Sequence, residues 1–370
     1  VIDNNKGKIG IKEYSAILMM MVGTKLSDDT PALLFDDLES SAWMIPILSG
    51  LIIFLPVFLL NKLLSHFENK NLHEIHKSLV GRHIGFLISL LLWLIGSVAI
   101  VIDTRSYVDI IKTMYFPATP TIIIYFVLMA ACVFGAKKGI EAIGSVAYLL
   151  IYIVIGFLFL AFILVIPDAD FSKIFPVFGS GPREIMKESI LNTAIYVDIL
   201  YMALIFPYVA RVKDYKKGTW FVLIFLMVEL SLAFLIYLAL FDYIPVKMMN
   251  YPFHETIRYI TLGEFLTNIE TLFFPIWLIA SFVRFSIYLY INALLFGGLF
   301  RIKSFEYIIP SLALVFLCVG MLLEPPTYTI FTLRRYLFNF LSPLFFFLPI
   351  LLWLIASLKG EFKHGRKNHV

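Results

Sequence analysis

The residues with the most chemistry to offer are ionisable groups set in apolar surroundings. Met19–Phe35 reads MMMVGTKLSDDTPALLF, and places Gly23, Thr24, Lys25, Asp28, Asp29 and Pro31 where an apolar run has barely begun. A second cluster, Asn192, Thr193, Tyr196, Asp198 and Tyr201, interrupts ESILNTAIYVDILYMALIFPYVARV, with Pro207 close behind. Arg284 stands in WLIASFVRFSIYLYINALLF, near Ser281, and Asp103, Arg105, Tyr107 and Asp109 fall in IDTRSYVDIIKTMYF. These groups can bind charged solutes or one another. No Walker loop, zinc-ligand spacing or nucleophile elbow accompanies them, so a hydrolytic or redox enzyme is not expected, nor a metal or other cofactor.

The elements that must hold them are membrane helices. Of 370 residues, 60% are apolar and 15% charged, against roughly 45–50% and about 25% in soluble domains. Ile84–Ile102, Ile143–Ile166 and Tyr336–Leu358 carry no charge, and about 20 apolar residues cross a bilayer as a helix. The expectation is an all-α integral membrane protein, one polytopic domain over 1–370. Ten transmembrane helices are expected near 14–35, 42–64, 84–112, 120–137, 140–166, 188–210, 218–241, 264–297, 305–323 and 334–358. Ala16–Val22 is too short to cross alone, so helix 1 is expected to break at Gly23–Pro31, or else Lys25–Thr30 snorkels at the outer interface. Gly and Pro free backbone groups that lipid cannot satisfy. Such groups survive where they line a cavity, and there they become a ligand site. Helix 6 is interrupted at the corresponding place. Paired broken helices in two five-helix halves, about 14–166 and 188–358, point to the inverted five-plus-five repeat of LeuT-like transporters.

Charge sets the orientation. Of thirty Lys and Arg, nineteen fall in one alternating set of loops and tails, eight in the other, and Lys25, Arg105 and Arg284 inside spans. The richer set faces the cytoplasm, which puts both termini there. The net charge of +4 follows from this bias and does not indicate nucleic acid. Arg284 at depth costs at least about 2.5–3.5 kcal/mol alone. It therefore needs a partner, for which Asp198, Glu229 and Asp28 are candidates. The pair would either fix helix packing or serve a site. Arg105 and Asp109 are four apart and can pair, which leaves Asp103 and Tyr107 together on another face, with Asp103 near the outer boundary.

Lesser features are expected to be structural. His66, His73, His76 and His83 sit in His66–Arg82, read as a wet amphipathic loop, since HEIH lacks zinc-protease spacing. GRHIG and GAKKG lie at span ends and are weak packing signals. Cys132 and Cys318 are expected as buried free thiols. Pro167–Lys187 reads as an outer Pro- and Gly-rich loop, and Asp242–Asn268 as an outer segment with one short interfacial helix. The start lacks a cleaved signal pattern. Its first residue, Val, fits a literally translated alternative start codon or a short truncation, and no room is expected for a soluble domain.

VGTKLSDDTPALLF, TRSYVDIIKTMYFPATP, FPVFGSG, LIFPYVARVKDY and WLIASFVRFSIYLYINALLFGGLF, in this order and spacing, make the chain resemble the B subunits of bacterial endospore germination receptors. These form the spore-permease branch of the amino acid–polyamine–organocation superfamily. The resemblance covers nearly the whole chain. It implies a small germinant such as an amino acid bound at broken helices 1 and 6, an A-type membrane subunit and a C-type lipoprotein as partners, and the spore inner membrane as location. It maps the unwound helix 1 to Gly23, Thr24 and Lys25, the helix 3 face to Asp103 and Tyr107, the helix 6 break to Asn192–Tyr201 and helix 8 to Ser281–Tyr288. Superfamily amino-acid transporters usually carry a second Gly where Lys25 stands, and helix 6 here has no Gly between Glu184 and Lys217. A ligand carboxylate is thus expected on Lys25 and the helix 1 amides, and an ammonium on Asp198 or Asp28. Arg284 would take the place of a coupling cation in sodium-driven relatives. An amino-acid permease, proton-coupled through Asp198 or Glu229, and a germinant-gated ion channel are the alternatives.

Overall fold

The computed structural model describes residues 7–260, 269–323 and 329–364. Lys6, Arg366 and Lys367, counted in the charge bias, and 264–268, the start of expected span 8, lie outside the described residues. Almost all of the described chain is helical. Among the described residues, β-type pairing is confined to a parallel bridge between Ile9 and Val209. There the Ile9 N–H donates to the Tyr208 carbonyl and the Ala210 N–H to the Ile9 carbonyl, both at 2.9 Å. Ile9, two residues ahead of helix 1, is thereby tied to the end of broken helix 6.

Seven described helical stretches are long and apolar enough to cross a membrane, and Thr121–Lys137 and Phe305–Met321 are apolar but shorter. Length and composition therefore mark seven of the expected spans. The other three are the two short helices and the broken first one.

Helix 1 breaks where the sequence places Gly23 and Pro31. It runs as α1 (Ile11–Gly23), a 3-10 turn (Thr24–Leu26) and α2 (Thr30–Leu38). Pro31 opens α2, where its missing N–H costs no helical bond. Asp28 Oδ1 accepts the Thr30 N–H at 2.8 Å. The freed carbonyls also find partners: Tyr107 donates to Thr24 O at 3.1 Å and Tyr237 to Leu26 O at 3.0 Å. The bundle around the break thus replaces the bonds lipid could not supply. A ring of longer helices surrounds α1: α8 (Ile140–Val165), α11 (Val212–Phe241) and α14 (Glu270–Phe300).

Helix 6 breaks without glycine. α9 (Pro182–Leu191) gives way to a 3-10 turn (Thr193–Tyr196), α10 (Asp198–Met202) and a second 3-10 turn (Ala203–Tyr208) containing Pro207. A hydroxyl from α16 (Arg335–Leu358) mends the break. Ser342 Oγ accepts the Ala194 N–H at 3.0 Å and donates to Leu191 O at 2.5 Å.

Three expectations change. His66–Arg82 is not a wet loop: it contains α5 (Leu72–Val80), packed on α6 (Arg82–Ile110). His73 and His76 are buried, with their Nδ1 atoms 2.8 and 3.3 Å from Ser89 Oγ. Gly85 of GRHIG is a true contact, since a Cβ there would lie 2.7 Å from Lys77 Cα. Cys132 is buried but Cys318 is exposed, and both are free. The segment expected at Asp242–Asn268 holds, over its described part to Ile260, two short helices rather than one, α12 (Tyr243–Met248) and α13 (Pro252–Tyr259).

Candidate functional site

The charges at depth converge on the helix 1 break in two connected groups. In the first, two guanidinium groups share three carboxylates. Arg284 reaches Asp103 at 2.7 Å and Asp28 at 3.3 Å. Arg334, just ahead of α16, reaches the other Asp103 oxygen at 2.8 Å and Asp28 at 3.8 Å. Its Nε lies 2.6 Å from Asp29 Oδ1, close but out of line for a hydrogen bond, and neither atom has one. Arg284 Nη1 also donates to Thr24 Oγ1 at 3.1 Å and to the Tyr107 hydroxyl at 2.9 Å. Arg284 is fully buried and Arg334 is 1% exposed. Such charges persist in a bundle only when paired.

The second group is smaller. Lys25 Nζ lies 2.6 Å from Asp198 Oδ2 and donates to Ile195 O at 2.6 Å. Lys25 thus crosses from the helix 1 break to the helix 6 break. Tyr288 joins the groups: its hydroxyl donates to Asp198 Oδ1 at 2.7 Å and accepts from Arg284 Nε at 3.3 Å.

This second group faces a cavity. Lys25, Asp198, Tyr288, Asp103 and Arg334 form its polar side. Ala99, Ile100, Ile291, Leu295, Leu337 and Phe338 are among its apolar walls. It holds about 50 Å³, on a measure by which one water needs roughly 10–15 Å³. A few waters fit, and a larger solute needs the walls to part. Above Arg284, Tyr107 stacks on Trp277 with ring centroids 5.0 Å apart. Trp277 donates to Ser27 Oγ at 2.9 Å and meets His254 of α13 edge-on at 4.8 Å.

The sequence-expected residues divide accordingly. Thr24, Lys25, Asp28, Asp103, Tyr107, Asp198 and Arg284 come together, and Tyr201 lines the cavity. Four others point elsewhere. Gly23 faces Glu229 and Leu226 of α11. Asn192 bonds Glu188, Tyr196 donates to Pro46 O, and Ser281 bonds its own helix at Trp277 O. Of the partners expected for Arg284, Asp28 touches it, Asp198 reaches it through Tyr288, and Glu229 does not touch it; Asp103 is its nearest carboxylate. The Arg105–Asp109 pair forms at 3.0 Å. Arg334 was missed, because at the mouth of a span it counts as a loop cation. Its signal was the unmatched pair Asp28–Asp29, which needs more cations than Arg284 supplies.

A family profile described as spore germination protein, the spore permeases, matches residues 12–328. Spore germination protein KB of Bacillus subtilis is 24% identical over 305 residues, covering 81% of this chain and 80% of that protein. Among solved structures, a nucleobase–cation symporter in a closed conformation with bromovinylhydantoin bound superposes with a TM-score of 0.66 at 13% identity, over 97% of this chain and 94% of the other. The Eremococcus coleocola manganese transporter gives 0.63 at 15%, over 94% and 81%. The fold is therefore that of the LeuT-like transporters, and the chain belongs to the spore germination protein family.

Proposed function

We propose that this member of the spore germination protein family is the germinant-sensing subunit of a spore germination receptor. It binds a small zwitterion, such as an amino acid, in the cavity between broken helices 1 and 6. The observation that carries this reading is the Lys25–Asp198 ion pair on the cavity wall. An ammonium and a carboxylate placed side by side offer counter-charges for both ends of an amino acid. A ligand carboxylate takes Lys25 and the helix 1 amides, and a ligand ammonium takes Asp198. The apolar walls receive the side chain. The ligand replaces one ion pair with two, so little desolvation is added on binding.

The cavity is too small for this without movement, so binding shifts the bundle toward a wider state. In this reading an A-type membrane subunit and a C-type lipoprotein sense that shift, in the spore inner membrane, with both termini of this chain cytoplasmic. The two five-helix halves, about 14–166 and 188–358, move relative to each other.

Spores lacking the chain, tested against amino acids, sugars and nucleosides, should lose the response to one class. Lys25→Ala should then raise the germinant concentration needed, with normal protein level in the membrane. Unchanged sensitivity in that variant would sink the assignment. Transport is the competing reading, favoured by the transporter fold of the solved structures, since one bundle serves both tasks. Solute uptake by the purified chain in liposomes would select it.

A further inference from the structure

On the face that the charge bias assigns to the cytoplasm, α5, the start of α6 and the end of α14 enclose a crevice of about 390 Å³. Three cations line it: Lys77 of α5, Arg82 at the first turn of α6, and Arg301 just past α14. No acidic residue is among its lining residues. Among the described residues, no carboxylate stands within salt-bridge distance of any of the three. Arg211 of the same loop set, by contrast, holds Asp214 at 2.8 Å.

The backbone makes an accommodation here. Arg301 has φ +56° and closes the end of α14, with Ile302 N–H donating to Gly297 O at 2.8 Å. Glycine takes that left-handed position at least cost. An Arg there keeps a guanidinium at the crevice. His73, also on the wall, is held down toward its neutral form by burial and by Lys77, so it adds a polar wall rather than a fourth charge.

The crevice is apolar where it meets the bilayer. Phe86, Leu87 and Leu299 line it. From there Ile84, Leu87, Leu91, Leu94 and Val98 form an exposed stripe up α6. That stripe rises about 21 Å over fourteen residues, more than the half-core of about 15 Å that one leaflet provides. A soluble anion uses the cations and leaves the stripe idle. A lipid with a negative headgroup uses both, as basic pockets between membrane helices do.

We infer that this crevice is a binding site for one anionic phospholipid, its phosphate held by Lys77, Arg82 and Arg301 and an acyl chain laid along the α6 stripe. The experiment uses the full chain in a neutral detergent, with thermal unfolding followed as lipid is added. Phosphatidylglycerol should raise the unfolding midpoint by several degrees, and phosphatidylcholine should not. Glycerol phosphate and inorganic phosphate at the same concentration should also leave it unchanged. Lys77→Gln with Arg82→Gln should remove at least half of the shift. Lys213→Gln with Lys217→Gln, an equal charge loss on the same face, should keep it. Arg301→Gly relieves the left-handed backbone, so it should fold at least as well while losing the shift. Native mass spectrometry should find one phosphatidylglycerol on the parent chain and none on the crevice variants. An equal shift in both double variants would reduce the effect to general surface charge and overturn the site. A shift with inorganic phosphate would make it a soluble-anion site, and no shift with phosphatidylglycerol would remove it altogether.

Discussion

The five-charge knot of Asp28, Asp29, Asp103, Arg284 and Arg334 and the two-charge pair of Lys25 and Asp198 are adjacent, yet they differ in what surrounds them. Of the knot, Asp103 and Arg334 reach the cavity wall, whereas Asp28, Asp29 and Arg284 are not among its lining residues. The knot's groups are held by each other, by Thr24 and Tyr107, and by a Tyr107–Trp277 stack overhead. The pair has protein on one side and a cavity on the other. Charges in a bundle are kept either because every partner is fixed or because a partner can be exchanged. The knot is closer to the first kind, since Arg284 and Arg334 are both ion-paired within it. It fastens helices 1, 3, 8 and 10 around the break that the Gly and Pro of helix 1 create. On the proposed reading the pair is of the second kind, joining the two broken helices with a contact that a solute can replace.

If that division is right, the largest effect comes from opening the knot. Arg334→Ala leaves Asp29 buried and uncompensated and takes one of two cations from Asp103. Removing one partner of a buried pair costs about 3–5 kcal/mol, so little folded protein should reach the membrane, measured by its recovery in monodisperse form from detergent extracts. Near-normal yield would make the knot as dispensable as the pair. Lys25→Met should cost less, about 1–3 kcal/mol, because water can enter the cavity beside Asp198. Adding Asp198→Leu should restore most of that stability, since apolar substitutes for buried ion pairs are often neutral. The double variant should still give no germinant response. Recovery of stability with retained response would show that the pair only packs.

The sequence revealed the knot and the pair unequally. Gly23, Pro31 and the charges between them declared the break, because no lipid-facing helix tolerates that composition. Arg105–Asp109 declared itself by its four-residue spacing, which fixes a contact within one helix. Contacts between helices have no such ruler. Arg284 plainly needed a partner, but Asp103, 181 residues away along the chain, was assigned to the outer boundary from its depth alone. Arg334 was taken as a loop charge because it stands at the mouth of a span; a π turn, not a loop, holds it there and carries the guanidinium inward. Lys25 and Asp198 were both marked, but as ligand groups apart; whether two opposite charges face each other depends on the tilt of two broken helices, which hydropathy does not encode. His73 and His76 were misplaced for a related reason, since an amphipathic helix on the bundle and one in water read alike until the partner face is known.

Outside the spans, pH acts on a buried histidine of α5. His76 lies outside the spans, and burial pushes it down to about 3 from an ordinary 6.5. Its Nε2 has no partner. The folded state therefore binds fewer protons than the unfolded state between those values, so the stability His76 contributes is full above 6.5 and is lost as pH falls toward 3. At pH 5.5 the loss is about 1.4 kcal/mol. His76→Gln should remove that part of the pH slope of the thermal midpoint while leaving germinant sensitivity unchanged. A slope unaltered in His76→Gln would place the acid-labile groups elsewhere.

The smallest effect tests the seam between the two groups. Tyr288 donates to Asp198 and accepts from Arg284, and it is the hydroxyl through which exchange at the pair is felt by the knot. Tyr288→Phe keeps the ring and removes both bonds, at roughly 1 kcal/mol. The informative quantity is the coupling, not that loss. With Tyr288 present, Lys25→Met and Asp103→Asn should be non-additive in unfolding free energy, by more than about 0.5 kcal/mol, because they share a network. In the Tyr288→Phe background the same two changes should add to within roughly 0.3–0.5 kcal/mol. Coupling that survives the loss of the hydroxyl would mean that the helix 1 backbone carries it, and that the knot and the pair are one unit rather than two.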